Sequence, residues 1–219
     1  MSYKIIVARY NENISWLNSE LHNCIIYNKG DKLNINENKN IITEIMLDNV
    51  GRESDSYLQY IITNYYNLPD VIVFTQANIS DHKKDNLNYL IKIKNEAISQ
   101  SKSQNFMTYN DTNVPIYFNK IWNLLMKDFN SVHNCYYKKE QCFYKNNIFI
   151  TFFEWFKTNI HQKYPDPIHI YLNAIFAVRK EIILNKPIEY YKKLLLEVNY
   201  TKNPIEGHFF ERSWYYIFD

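Results

Sequence analysis

Glycine is nearly absent from this chain, with three residues in 219, at Gly30, Gly51 and Gly207. That scarcity excludes the glycine-rich phosphate loops, and neither a G-x-x-x-x-G-K-[ST] run nor a G-x-G-x-x-G run occurs. The G-x-S-x-G elbow and the H-E-x-x-H zinc motif are missing as well. Cysteine occurs at Cys24, Cys135 and Cys142 only. An odd count without metal-ligand spacing indicates a reduced, intracellular chain rather than a disulfide framework, although Cys135 and Cys142 are spaced to pair across a loop. No apolar run approaches the ~20 residues of a membrane span, and the longest, Ile148–Phe156, is interrupted by Glu154. Met1 leads straight into an apolar segment without a signal-peptide pattern, so the expected location is the cytoplasm. An excess of either charge is also lacking. With 25 basic and 23 acidic residues the net charge is +2, which speaks against a broad nucleic-acid footprint.

What is present suffices for a sizeable core. Hydrophobic residues make up 46% and charged residues 22%, the balance of a globular chain that folds without staples. Asn, Ile, Lys and Tyr are over-used, so Asn and Lys mark loops poorly and the few Gly and Pro residues carry the punctuation.

Lys4–Ala8 and Cys24–Tyr27 read as buried strands, with Ile14–Leu21 between them as a short helix whose inward residues are Trp16, Leu17 and Leu21. Glu44–Leu47 is a third short strand. A helical face follows at Tyr57, Leu58, Ile61, Ile62 and Tyr65, then the stop Asn67-Leu68-Pro69-Asp70 and the strand Val71–Phe74. Strand, helix, strand in that order implies a right-handed parallel crossover. Asn88–Ile98 is helical, Ile148–Lys157 is either strand or helix, and Ile168–Val178 reads as one strand. Pro187 sits at a first-turn position of a helix, and a Tyr-rich helix closes the chain.

Five constellations carry chemistry-capable side chains. Arg9-Tyr10-Asn11-Glu12 lies at the carboxyl end of the first strand, where α/β sheets bind ligands; taken alone, these residues fit an ordinary strand-to-helix turn better. Tyr27-Asn28-Lys29-Gly30 ends the second strand, with Asn28 placed to read a base edge and Lys29 to meet phosphate, unless it is only a tight turn. Asn49-Val50-Gly51-Arg52-Glu53 opens a helix and offers an anion site, or merely a helix start with Glu53 on the dipole. Gln76–His82 gathers Gln76, Asn78, Asp81 and His82 after the fourth strand; Asp81 is a hard-cation ligand or a helix cap. His208 and Glu211 share a helix face, with Glu211 either a general base or the ion-pair partner of Arg212.

In order, the segments Val7–Glu12 with Trp16-Leu17, Ile26–Gly30, Asn49–Glu53 with Tyr57-Leu58, Leu68-Pro69-Asp70, Phe74-x-Gln76, Phe176-Ala177-Val178 and Glu211-Arg212-x-Trp214 resemble an uncharacterised domain family of fungi, bacteria and large DNA viruses. That layout is in turn similar to the GT-A nucleotide-sugar glycosyltransferases. The resemblance implies an α/β fold: one GT-A-like domain over residues 1–219, with a mixed, mainly parallel sheet flanked by helices. Its nucleotide-binding half would be about residues 1–85 and its acceptor half about 86–219. The implied activity is transfer of a sugar from a nucleotide-diphosphate donor to a hydroxyl acceptor in glycan synthesis, in the host cytoplasm if the source is viral. Arg9, Tyr10, Asn11, Glu12, Asn28, Lys29, Arg52, Gln76 and Asn78 would hold the donor. Asp81, His82 and His208 would hold a divalent cation, Mn or Mg, and Glu211 would be the base. The expectation is that Asp81, His82, His208 and Glu211 line one pocket with Arg52 on its wall. Gln76-Ala77-Asn78 departs from the Asp-x-Asp metal motif of those enzymes, which keeps open a non-catalytic nucleotide-sugar or glycan-binding protein, or a structural, virion-associated one.

Overall fold

The first strand, β1 (Tyr3–Arg9), forms where the apolar run predicts it. The computed structural model describes residues 1–33, 43–79, 86–99, 106–108, 114–116, 143, 145–148, 150–161, 163–165, 168–170 and 174–219. Within these residues β2 (Cys24–Asn28), β3 (Thr43–Met46) and β4 (Val71–Gln76) follow, all parallel, with β1 between β2 and β4. Later in the chain come β5 (Phe106–Thr108), β6 (Val114–Ile116), β7 (Ile168–Ile170) and β8 (Phe176–Arg179). A six-stranded sheet runs β3-β2-β1-β4-β8-β5, in which β8 is antiparallel to β4 and β5; β6 and β7 pair separately. The protein is therefore mixed α/β, with a mostly parallel sheet.

Helices cover both faces of that sheet: α1 (Arg52–Asn64), α2 (Asn86–Ser99), α3 (Phe152–Asn159), α4 (Lys180–Leu184), α5 (Ile188–Leu195) and α6 (Ile205–Phe218). Because side chains alternate across a strand, β1 and β4 feed two cores. Ile6, Ile72 and Phe74 pack with Tyr57 and Ile61 of α1 and with Phe210 and Trp214 of α6. On the other face Ile5, Val7, Val71 and Val73 pack with Leu90, Ile93 and Ala97 of α2. Burial on both faces is why these strands read as unbroken apolar runs. The helix alternative wins at α3, where Thr151 Oγ1 accepts from Glu154 N and Glu154 Oε2 accepts from Thr151 N, a capping box.

Two segments differ from the sequence expectation. Ile168–Val178 is not one strand: its ends are β7 and β8, in different sheets, and Ala174 has φ +49, incompatible with an extended run. Ser15–Asn23 is helical where a short helix is expected, but in 3₁₀ turns broken by a kink at Asn18 (φ 39, ψ −109), with Leu17 buried. Trp16 still has a defined task, since its Nε1 donates to Ala77 O at 2.8 Å and pins the exit from β4. Cys24 is buried as a free thiol, while Cys135 and Cys142 lie outside the described residues. Among the described residues no helix is long and apolar enough to cross a membrane.

Candidate functional site

The chain lays down β1, β2 and β3 towards one edge and then returns to place β4 on the other side of β1. Loops leaving the carboxyl ends of β1 and β4 therefore diverge, and such switch points open a crevice. A cleft of ≈ 310 Å³ lies there. Ala8, Arg9, Tyr10 and Glu12 line it from the end of β1, and Gln76 lines it from the end of β4. The turn before α1 contributes Asn49, the start of α1 contributes Arg52, Glu53 and Ser56, and the loop before α6 contributes Lys202 and Asn203.

The turn after β1 is latched to the turn after β2. Arg9 Nε donates to Glu12 O at 2.9 Å, and its Nη1 donates to Asn28 Oδ1 and Asp31 O, both at 2.8 Å. Asn11 Oδ1 accepts from Asp31 N at 2.7 Å, and Glu12 Oε2 from Tyr10 N at 2.7 Å. These bonds hold Tyr10 out from the fold, 46% exposed, with Lys202 Nζ 5.8 Å from its ring centroid. The result is an aromatic platform beside two cations.

Asn28 and Lys29, expected to touch a ligand, build the frame instead. Asn28 is fully buried, and its amide is saturated: Nδ2 donates to Asp31 O and Glu44 Oε1, and Oδ1 accepts from Arg9 and Gly30 N. Lys29 lines the cleft, yet its ammonium donates to Val50 O and Arg52 O and pairs with Asp55 Oδ2 at 2.8 Å. These bonds fix the turn in which Gly51 takes φ +67, so a side chain there would be strained and its Cβ would lie 2.5 Å from Asp55 Cβ.

Arg52 is carried on that turn and braced by the start of α6. Its Nη1 lies 3.1 Å from His208 Nε2 and 3.5 Å from Asn203 Oδ1, and its stem lies against Gly207. A guanidinium can only donate, so His208 Nε2 accepts and the ring proton sits on Nδ1. Burial, and then the Arg52 and Arg212 charges, hold the His208 pKa well below the usual imidazole value. His208 thus braces Arg52, and it does not line the cleft. Linkage gives this a sign. Between the depressed folded value and the unfolded value near 6.5 the unfolded chain binds a proton that the folded chain does not. Stability is therefore lost as pH falls below about 6.5, by at most about 1.4 kcal/mol per pH unit. Urea titrations across that window should show this slope in the parent and its loss in His208→Gln.

Glu211, the expected base, does not line the cleft either; its Oε2 lies 3.6 Å from Arg212 Nη1, which itself donates to His208 O. The i, i+3 spacing correctly puts His208 and Glu211 on one helix, but that helix serves the cleft from behind. Asn78 is exposed and outside the lining, whereas Gln76 is part of it. Asp81 and His82 lie outside the described residues. Among the described residues no three His, Cys, Asp or Glu side chains group to hold a metal ion. Sequence reading missed Ser56, Lys202 and Asn203: the last two lie between helices in a chain rich in Lys and Asn, and nothing marked them.

The family described as "Protein of unknown function (DUF3431)" matches residues 5–219. No curated protein and no solved structure matches this chain.

Proposed function

The chain belongs to the DUF3431 family, and from its cleft we propose that it is a GT-A-like glycosyltransferase that binds a nucleotide-diphosphate sugar and transfers the sugar to a hydroxyl acceptor. One observation carries this reading: the cleft at the β1/β4 switch point joins the exposed Tyr10 ring to the cations of Arg9, Arg52 and Lys202. An aromatic face accepts a base by stacking. Cationic side chains at a helix start suit the phosphates, and they act where charge develops as the diphosphate leaves. Gln76, Asn49 and Asn203 supply amide groups for ribose and sugar hydroxyls. Glu12 and Glu53 are the carboxylates lining the cleft, and they take the place of Glu211 as groups within reach of an acceptor hydroxyl. Among the described residues no three His, Cys, Asp or Glu side chains group to hold Mn or Mg, and Asp81 and His82 lie outside those residues.

Binding without transfer is the second reading, favoured by the position of Glu211 outside the cleft. A thermal-shift screen of nucleotide sugars, with and without Mn²⁺, tests the site, and an assay for released nucleoside diphosphate separates the two readings. Arg52→Ala is expected to weaken binding of a stabilising nucleotide sugar by about 1.5–3 kcal/mol, the weight of a hydrogen bond to a charged group. Unchanged affinity by calorimetry on the folded variant would remove Arg52 from the site.

A further inference from the structure

Two serine hydroxyls at the start of α1, Ser54 Oγ and Ser56 Oγ, have no hydrogen-bond partner among the described residues, and both residues are fully buried. A serine inside a helix ordinarily turns its hydroxyl back to the carbonyl four residues earlier. Here those carbonyls belong to Val50 and Arg52, and Lys29 Nζ donates to both. The Arg52 carbonyl also accepts the helix bond from the Ser56 amide, so both of its lone pairs are occupied. Lys29 thus competes for the usual partner of each hydroxyl, and at the Arg52 carbonyl no lone pair is left for Ser56. One difference separates them: Ser56 lines the cleft and Ser54 does not.

Ser56 has company suited to a negatively charged oxygen. α1 is 13 residues long, and its N-cap Gly51 brings no side chain to the helix start, so no capping side chain covers the positive end of the helix dipole. Arg52 lines the same wall. The Glu53 carboxylate there lies 3.6 Å from Arg52 Nε and is offset by it. We infer that the Ser56 hydroxyl is a ligand-binding group, which together with the opening amides of α1 and Arg52 forms an oxyanion subsite that takes one phosphate of the nucleotide diphosphate. The inference rests on reading the cleft as a nucleotide site and names the part of it that grips the phosphate. It also explains why a hydroxyl that costs the free protein stability sits at this position: its partner arrives with the ligand.

Two variants and two probes test it. The full-length parent, Ser56→Ala and Ser54→Ala are titrated calorimetrically with inorganic pyrophosphate and with ADP, GDP, UDP and CDP, and the free proteins are melted. Ser56→Ala should lose about tenfold in affinity for the diphosphates, as for one charge-assisted hydrogen bond. Its free form should melt at or above the parent temperature, because an unmatched hydroxyl is gone. Ser54→Ala should share that melting behaviour and keep parental affinity. Nucleoside diphosphate binding that Ser56→Ala leaves intact, or that Ser54→Ala weakens equally, overturns the subsite while the nucleotide reading stands. A parent that binds neither pyrophosphate nor any nucleoside diphosphate overturns both.

Discussion

Lys29→Met is expected to lower the unfolding free energy by about 3–5 kcal/mol in urea denaturation, the range for breaking a buried ion pair from one side. The side chains of Lys29 and Asp55 are only 5% and 3% exposed, and their charged atoms are 2.8 Å apart. The ammonium's other protons go to the carbonyls of Val50 and Arg52, so all three donors are engaged. Removing Lys29 leaves a carboxylate in the interior whose Oδ1 already has no partner among the described residues. Burial holds the Lys29 pKa below its usual value even though the Asp55 carboxylate pulls the other way. The attraction therefore does not fully offset desolvation, and removing both charges costs less than removing one. Lys29→Met with Asp55→Leu should recover most of the loss, the remainder being the two abandoned carbonyls. A double variant as unstable as the single one would show that the carbonyl bonds, rather than the ion pair, hold the turn.

That lysine also marks how far the sequence was legible. β1, β2 and β4 were readable because strands buried on both faces leave continuous apolar runs, and the ends of such strands are where a crevice opens. Arg9, Tyr10, Glu12, Arg52 and Gln76 followed from position alone and do line the cleft. Position does not say which way a polar side chain points. Asn28 and Lys29 sit at a strand end as a ligand-binding pair would, but their partners Glu44 and Asp55 are 16 and 26 residues further on, brought close only by the sheet and by α1. Arg52-Glu53-Ser54-Asp55-Ser56 looks like a solvated helix start, yet Ser54, Asp55 and Ser56 are buried beneath the frame. His208 stands out in the sequence through its i, i+3 spacing to Glu211 and the GT-A resemblance, and its service to Arg52, 156 residues away, has no local signature. Along 168–178 an apolar run concealed a break, because Ala174 gives no hint of its positive φ.

Gly30→Ala is the other change with a large expected effect, and its cause is crowding rather than dihedral freedom. A Cβ at Gly30 would lie 1.6 Å from Tyr10 O, 2.2 Å from Asn11 Oδ1 and 2.4 Å from Tyr10 C. Two of these are backbone atoms, and the third is fixed by the bond it accepts from Asp31 N. No rotamer change relieves such contacts; the turns after β1 and β2 must move apart. They are tied by Lys29 N donating to Arg9 O and by Arg9 Nη1 donating to Asp31 O, each at 2.8 Å, so separation breaks the latch as well as straining the backbone. The expected loss is about 3 kcal/mol or more, at the upper end of overpacking costs. The same shift carries Tyr10 and Glu12 away from the cleft, so ligand affinity should fall even at temperatures where the variant is fully folded. Urea denaturation and calorimetric titration of Gly30→Ala beside the parent measure both effects. Parental stability in the variant would mean that the two turns are free to separate. Parental affinity in a destabilised variant would remove the β1 turn, and Tyr10 with it, from the binding site.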